Sequence, residues 1–184
     1  MQIEIKPATP EDIANLQTLS DKAHRVHIPA FAPIAFPDPG AEVQPLMGFS
    51  REGLGNHGAY DDEDLEGFDM YAPLIKTDFT FKIDYPLKTA ALVTVSGKAQ
   101  EGGYSAADMI AAVKAAYEGI YQMEDGDTPA PDHVNMGAFI LANRPATKGM
   151  FGIWGHGIHD LAIEGIDTFV FEDGSATIDV SIGS

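Results

Sequence analysis

The chain has 184 residues, contains no cysteine, and carries 28 acidic against 11 basic side chains, for a formal net charge of −17. This composition excludes disulfide bonds, and a field of this sign repels nucleic acids and anionic membranes, whose partners use Lys and Arg to neutralise phosphates. No uninterrupted apolar run approaches the ~18 residues of a membrane-spanning helix. Residues 1–184 are therefore expected to form one domain with neither nucleic acid nor membrane as a partner.

The first predicted elements are a short strand at residues 3–6 and a helix over about 9–26. Thr9 is a typical N-cap, Pro10 suits the first helical position, and Asp12 can complete a capping box. The opening residues lack a basic region followed by an apolar run. No signal peptide is predicted, and the expected location is the cytoplasm.

Residues 3–13, Ile-Glu-Ile-Lys-Pro-Ala-Thr-Pro-Glu-Asp-Ile, are similar to the first strand and helix of the GNAT acetyltransferases. In that family, an Arg/Gln-x-x-Gly-x-Gly/Ala turn binds the pyrophosphate of acetyl-CoA through its backbone amides. The glycines of residues 149–157 do not follow an Arg or Gln at the required position, and their spacing differs from that of the turn. The resemblance therefore implies a similar strand and capped helix, and it does not extend to acetyl transfer.

Residues 28–76 are rich in proline and glycine, which interrupt regular elements through most of this segment. An irregular stretch of this length within a compact domain is usually either a functional lid or disordered. The segment also contains many aromatic side chains, in which disordered regions are poor. We therefore expect it to be ordered, and the sequence leaves open whether it is a lid, a subunit interface or a wrap over the sheet.

The second half of the chain predicts strands and one long helix. Residues 79–85 alternate apolar with polar side chains, and residues 89–96 are rich in β-branched ones, so both are expected strands. Ser105 and Asp108 form a capping box at the start of a helix over about 105–123. Further strands are predicted at 161–166, 168–171 and 177–182.

The order of these elements indicates the fold class. An Asp-Gly turn at residues 172–175 joins the last two strands as a hairpin. Strands come in adjacent pairs and do not alternate with helices, which favours α+β over a doubly wound sheet. The expected fold is an antiparallel sheet of about five or six strands with two helices and a long ordered irregular segment.

Residues 143–160 form the most suggestive loop, because it contains the only tryptophan, two histidines and several glycines. Glycine allows the backbone to approach a ligand closely, and Trp154 offers a flat face for stacking. Asn143, Arg144 and Trp154 are the candidate ligand-binding residues. The alternative is a tight buried crossover in which the glycines solve a packing problem and the tryptophan fills the core.

The same loop supplies the candidate catalytic residues, which are His156, His159 and Asp160. Neutral imidazole titrates near pH 6.5 and suits proton transfer, and a carboxylate can orient it. Sequence motifs for a serine or cysteine nucleophile and for phosphate-binding loops are absent from the chain. A catalytic role for the loop therefore depends on these three side chains.

Four histidines are candidate ligands for a divalent metal ion, which is the cofactor the sequence suggests. His24 and His27 are three residues apart, as are His156 and His159. Positions three apart on a helix share a face, so the first pair can point at one ion if it is helical. The alternative is that His27 caps the end of the N-terminal helix, where its charge complements the helix dipole.

Two functions remain open at this point. The first is a non-enzymatic binding or assembly module that forms a homo-oligomer. It is favoured because the chain has enough apolar residues for a hydrophobic core but no recognisable catalytic motif. The second is a small enzyme with a histidine-based, metal-dependent or metal-free site on the 143–160 loop. The identity of the small-molecule ligand stays open in both cases.

Overall fold

The computed structural model describes residues 1–20, 23–34, 69–125 and 146–184. These ranges contain eight strands, two α-helices and two short 3-10 helices at Ala99–Glu101 and Ile158–Asp160. The strands and α-helices, in chain order, are β1 (Gln2–Pro7), α1 (Pro10–Ser20), β2 (His24–Pro33), β3 (Pro73–Ile75), β4 (Phe79–Ile83), β5 (Ala91–Ser96), β6 (Tyr104–Ser105), α2 (Ala106–Asp125), β7 (Ala162–Val170) and β8 (Ala176–Gly183).

Six strands form one mixed sheet in the order β1-β5-β4-β8-β7-β2, and β3 pairs with β6 in a separate two-stranded sheet. The predicted α+β class and strand number are confirmed. Within the described part of the chain, β4 and β8 form the one parallel pair, and all other neighbours are antiparallel. An entirely antiparallel sheet was expected. The structure differs because β8 of the β7–β8 hairpin lies next to β4 and runs in the same direction.

The hydrophobic core lies between the six-stranded sheet and α2. The buried stripe of α2 includes Met109, Val113, Ala116 and Ile120, which is the pattern of an amphipathic helix with one face inward. These side chains belong to one cluster with the inward-facing residues of the central strands. Those strand residues are Phe79, Phe81, Ile83, Val93, Val95, Ile163, Ile166 and Ile178.

The long helix agrees with its predicted start. Ser105 Oγ accepts the Asp108 amide hydrogen at 3.2 Å, and Asp108 Oδ2 accepts the Ser105 amide hydrogen at 3.0 Å, as a capping box requires. The helix continues to Asp125, about half a turn further than predicted. Local capping chemistry therefore fixed where this helix begins.

The N-terminal helix begins as predicted but ends earlier. The Thr9 amide donates to Asp12 Oδ2 at 2.9 Å, and the Asp12 amide donates to Thr9 Oγ1 at 3.1 Å. The helix ends at Ser20 and not near residue 26, because His24–Pro33 pairs with β7 as strand β2. Pairing with a sheet edge outweighs the helical spacing of the apolar residues in this stretch.

The predicted 28–76 segment is regular at both of its described ends. Its beginning belongs to β2, an edge strand in which Pro29 and Pro33 are tolerated because prolines in sheets are confined largely to edges. Its end contains β3, which pairs with β6. Residues 35–68, which hold most of the expected wrap, lie outside the described residues.

The last two strands form the predicted hairpin. Residues 162–170 are one continuous strand with a register shift between Ile163 and Gly165, where two shorter strands were expected. Gly174 has a φ of 83°, which glycine adopts without strain, and its amide donates to the Phe171 carbonyl at 2.9 Å. Among the helices of the described ranges, none is long and apolar enough to cross a membrane.

Candidate functional site

A cavity of about 270 Å³ opens where the parallel strands β4 and β8 separate. Their ladder runs from Phe79 paired with Ala176 to Phe81 paired with Ile178, and the cavity lies beyond that point at the carboxyl ends of the paired segments. This is the position at which parallel sheets commonly bind ligands. Its lining residues are Lys82, Ile83, Asp84, Tyr85, Tyr117, Asp179, Val180 and Ile182. We call this cavity the β4–β8 cleft.

The residues that line the cleft come from both faces of the sheet, because side chains alternate across each strand. Lys82 and Asp84 lie on the face of β4 opposite the buried Ile83, and their charged groups approach to 2.5 Å. Asp179 lies on the corresponding face of β8, between Ile178 and Val180. Three charged residues of the lining therefore share one face of the sheet, while Ile83, Val180 and Ile182 lie on the other face with the buried Tyr117.

An aromatic cluster of Tyr85, Trp154 and His156 adjoins the cleft. The ring centroids of Tyr85 and Trp154 are 5.8 Å apart with an interplanar angle of 84°, and those of Tyr85 and His156 are 5.7 Å apart. Trp154 and His156 are 6.3 Å apart. Trp154 is 43% exposed, so the predicted alternative of a tryptophan that fills the core is wrong. Tyr85 also lines the cleft, so the cluster and the cleft share this residue.

Two tyrosines of α2 hold the backbone of the cluster in place through hydrogen bonds. The Tyr117 hydroxyl donates to the backbone carbonyl of Tyr85 at 2.7 Å, and the Tyr121 hydroxyl donates to that of His156 at 2.9 Å. The two tyrosines are four residues apart and so lie on the same helix face. Burial raises the pKa of the Tyr117 hydroxyl well above its usual range, which keeps this group protonated and able to donate.

Glu124, near the last turn of α2, holds the loop that carries Trp154. Its side chain is 0% exposed, and its carboxylate accepts hydrogen bonds from the Phe151 amide at 2.8 Å, the Gly152 amide at 3.3 Å and the Thr147 hydroxyl. A Cβ at Gly149 would lie 2.5 Å from Glu124 Oε1, so glycine is required for this approach. A buried carboxylate with several donors is a strong local constraint.

Backbone contacts fix the other side of the same loop. Leu87 and Ile153 form an isolated antiparallel bridge, and the Trp154 amide donates to the Pro86 carbonyl at 3.0 Å. The Tyr85–Pro86 peptide bond is cis. The turn that follows β4 and the 146–156 loop therefore lie side by side, which explains why Tyr85 contacts Trp154.

The structure places the predicted loop residues as follows. His156 belongs to the aromatic cluster, while His159 is exposed in the 3-10 helix Ile158–Asp160. Asp160 Oδ2 accepts the Gly157 amide hydrogen at 2.7 Å and so caps that short helix. Asn143 and Arg144 lie outside the described residues. His156 and Trp154 are thus brought together, as a ligand-binding loop would require.

The other histidine pair lies in a strand, so the predicted helical arrangement of His24 and His27 is wrong. Residues three apart in a strand project to opposite faces, and His27 does not cap a helix. Its Nδ1 lies 2.8 Å from Asp167 Oδ1, and Arg25 Nη2 lies 2.5 Å from Asp167 Oδ2. Burial acts to raise the Asp167 pKa, but the hydrogen bonds from Arg25 and His27 outweigh it and lower this pKa.

No group of three or more His, Asp or Glu side chains in the described ranges is arranged to hold a metal ion. The four-histidine metal site stays a prediction. It has lost one of its grounds, because His24 and His27 do not share a helix face.

Sequence reasoning missed the β4–β8 cleft and the role of Tyr85. The alternating pattern through residues 79–85 predicted a strand, and the polar residues Lys82 and Asp84 were assigned only to its solvent face. The one local signal was Pro86, which predicts a break in the chain next to Tyr85. The approach of β8 is a long-range event that no local pattern encodes.

Comparisons with protein families, curated proteins and solved structures find no match to this chain. The function must therefore be argued from the geometry of the site, because a fold class by itself implies no particular activity.

Proposed function

We propose that this protein is a non-enzymatic binding module whose ligand-binding surface is the β4–β8 cleft together with the aromatic cluster. The observation that carries the proposal is the position of Tyr85, which lines the cleft and contacts both Trp154 and His156. A concave space that adjoins aromatic rings and contains a few polar groups is a common form of small-molecule site.

Pre-organisation supports a binding role. Tyr117 and Tyr121 hold the backbone at Tyr85 and His156, and Glu124 holds the loop that precedes Trp154. A ligand that meets rings already held in place loses less conformational entropy on binding than one that must order a flexible loop. The buried carboxylate and both tyrosine hydroxyls thus serve the same surface.

The alternative function is a small enzyme that uses His156. This ring lies 5.7 Å from Tyr85, next to the cleft, where an imidazole can exchange a proton with a bound molecule. The two functions differ in their response to His156→Gln. An enzyme would lose turnover of a bound ligand while retaining its affinity, whereas a binding module changes only in affinity.

Assembly and location complete the proposal. The protein is proposed to form a homo-oligomer in the cytoplasm, with neither nucleic acid nor membrane as a partner. The net charge of −17 supports the exclusion of polyanions. Light scattering tests the assembly, since a mass equal to one chain at all concentrations contradicts it.

The binding proposal is tested by a fragment screen with two readouts at one site. Trp154 is the only tryptophan, so intrinsic fluorescence reports directly on the aromatic cluster. Fragments that shift its emission are expected to shift the NMR signals of Tyr85 and His156 as well. A screen in which bound fragments perturb neither the emission nor these signals contradicts the proposal.

A matched pair of variants tests the role of the cleft residue. Tyr85→Leu removes the shared ring while keeping an apolar side chain, and it is expected to weaken fragment binding about tenfold or more. Tyr71→Leu changes a tyrosine that is 65% exposed and lies outside the cluster, so it is expected to leave binding unchanged. Equal affinities in the two variants would overturn the assignment.

A further inference from the structure

We infer that two copies of this chain associate along strand β1, which pairs in antiparallel fashion with β1 of the second copy around a two-fold axis at Ile5. This inference rests on the homo-oligomer of the proposed function and deepens it by naming the contact surface, the pairing register and the symmetry. In a two-fold dimer each copy contributes the same surface. The surface must therefore be complementary to itself.

The outer edge of β1 carries backbone groups that can pair with another strand. β1 is the last strand of the six-stranded sheet, and its neighbour among the described strands is β5. The Ala8 amide donates to the Ala90 carbonyl at 2.8 Å, directly after the last pair of their ladder. Because bonded and non-bonded pairs alternate along an antiparallel ladder, Ile3, Ile5 and Pro7 direct their backbone groups away from β5.

The charges of β1 select one register. A ladder centred on Ile5 places Glu4 opposite Lys6 of the second copy, and symmetry repeats this pair. The two side chains then occupy a non-hydrogen-bonded pair, in which side chains are closest and opposite charges are stabilising. A ladder centred on Glu4 would place two carboxylates directly opposite each other, and one centred on Ile3 would pair Glu4 with the neutral Gln2.

Pro7 limits the length of this ladder. At its centre, Ile5 exchanges two backbone hydrogen bonds with Ile5 of the second copy. At each end, the Ile3 amide donates to the Pro7 carbonyl, but Pro7 has no amide hydrogen to return. The pairing is therefore confined to residues 3–7 and closes as a dimer, without extending into a longer sheet.

Apolar side chains lie beside the same edge. Ile3 and Ile5 pack against the core and yet remain only half-buried. A Cβ at Gly119 would lie 2.9 Å from Ile5 Cδ1, so α2 packs directly against β1. Met123, four residues after Gly119 and so on the same side of α2, is 46% exposed. A second copy around the axis at Ile5 removes apolar surface of this edge from water, which favours association.

Single-cysteine variants identify the register, because the chain itself contains no cysteine. Ile5→Cys is expected to form a disulfide with its own copy under mild oxidation, since directly opposite Cα atoms lie about 5.5 Å apart, within disulfide range. Ile3→Cys is the matched control at another half-buried isoleucine of β1. Its two copies would lie about 13 Å apart along the strands, which is too far for a disulfide. Non-reducing electrophoresis measures both.

Charge variants test the proposed ion pairs. Lys6→Glu places like charges opposite each other twice, and it is expected to raise the dissociation constant of the dimer about tenfold or more. The double variant Glu4→Lys with Lys6→Glu restores opposite charges and should recover most of the affinity. Lys76→Glu, at an exposed position next to β3, makes the same change in net charge and serves as the control. Sedimentation over a concentration series gives the dissociation constants.

The outcomes separate this inference from the proposed function. If a dimer forms but Lys6→Glu weakens it no more than Lys76→Glu does, the β1 interface is wrong and the homo-oligomer stands. Cross-linking of Ile3→Cys in place of Ile5→Cys contradicts the register. A mass of one chain at all concentrations contradicts both the interface and the homo-oligomer, whereas the fragment screen at the β4–β8 cleft is judged by its own readouts.

Discussion

The carboxylate of Glu124 accepts a hydrogen bond from the Phe151 amide at 2.8 Å, three residues before the exposed Trp154. A negative charge near the C-terminal end of a helix opposes the helix dipole, so this position is unfavourable for the helix itself. The donors at Thr147, Phe151 and Gly152 offset that cost. The loop and the end of α2 thus stabilise each other. These hydrogen bonds hold the loop that carries Trp154 against α2.

Replacing this carboxylate is expected to destabilise the protein and to move Trp154. Glu124→Gln presents an amide group to buried donors, which leaves at least one donor unsatisfied and lowers the free energy of unfolding by roughly 1–3 kcal/mol. The emission maximum of Trp154 should shift as the loop loosens. Glu118→Gln, at an exposed position of the same helix, should change stability by less than about 0.5 kcal/mol. Denaturant titration followed by fluorescence measures both effects.

The two tyrosine hydroxyls of α2 are expected to contribute separately to stability. Tyr117→Phe leaves the Tyr85 carbonyl without its donor, and Tyr121→Phe does the same for His156. Each change should lower the free energy of unfolding by about 1 kcal/mol and weaken fragment binding at the cluster. Tyr71→Phe is the control because that side chain is exposed. If only stability changes and affinity does not, these hydroxyls do not position the binding surface.

Two neighbouring glycines provide a direct test of close packing at the β3–β6 sheet. Gly102 and Gly103 have φ values of 116° and 108°, but a Cβ at Gly103 would lie 2.3 Å from the Ile75 carbonyl oxygen, whereas one at Gly102 would meet nothing within 4 Å. Gly102→Ala should cost roughly 1–2 kcal/mol from backbone strain alone. Gly103→Ala should cost about 3 kcal/mol or more, because β3 must also move. Thermal denaturation that ranks the two variants equally would show that β3 moves freely.

Asp108 is expected to contribute a pH-dependent part of the stability. Burial acts to raise its pKa, but the hydrogen bonds from Lys98 and Ser105 outweigh it, so its pKa lies below the ordinary 3.8. A lowered folded-state pKa means that the charged form stabilises the fold above the unfolded-state pKa, which is about 3.9. This contribution is lost as the pH falls through the folded-state pKa.

Asp108→Asn tests that dependence. The variant should be less stable than the original protein at pH 7, and the difference should shrink between about pH 4 and pH 2. Unfolding curves at a series of pH values measure it. A stability difference that stays constant down to pH 2 would contradict the assignment of the effect to the Asp108 carboxylate.

The parts of the fold that depend on neighbouring residues were predictable. Both capping boxes, Thr9 with Asp12 and Ser105 with Asp108, were read from residues three apart and are present. The hairpin turn at Gly174 was read from a dipeptide. In each case the interaction joins residues that are close together in the chain, so the sequence pattern alone is enough to predict it.

The parts that depend on distant pairing were not predictable. The His24–His27 stretch has helical spacing, yet it forms a strand because β7 offers it a partner more than a hundred residues away in the chain. The cleft exists because β4 and β8 cease to pair after Phe81 and Ile178. The role of Glu124 has no local signal in the sequence, since its donors lie in a different segment. Trp154 and His156 were identified as a candidate pair, but Tyr85 was not.

The prolines of the outermost strands also limit how this sheet can grow. Pro7 in β1, and Pro29 and Pro33 in β2, have no amide hydrogen to offer a strand laid along either margin. Such margins discourage the edge-to-edge pairing that leads to aggregates and fibrils. Among the strands that the structure describes, these two therefore disfavour a β-ladder between copies of the chain at the positions of their prolines.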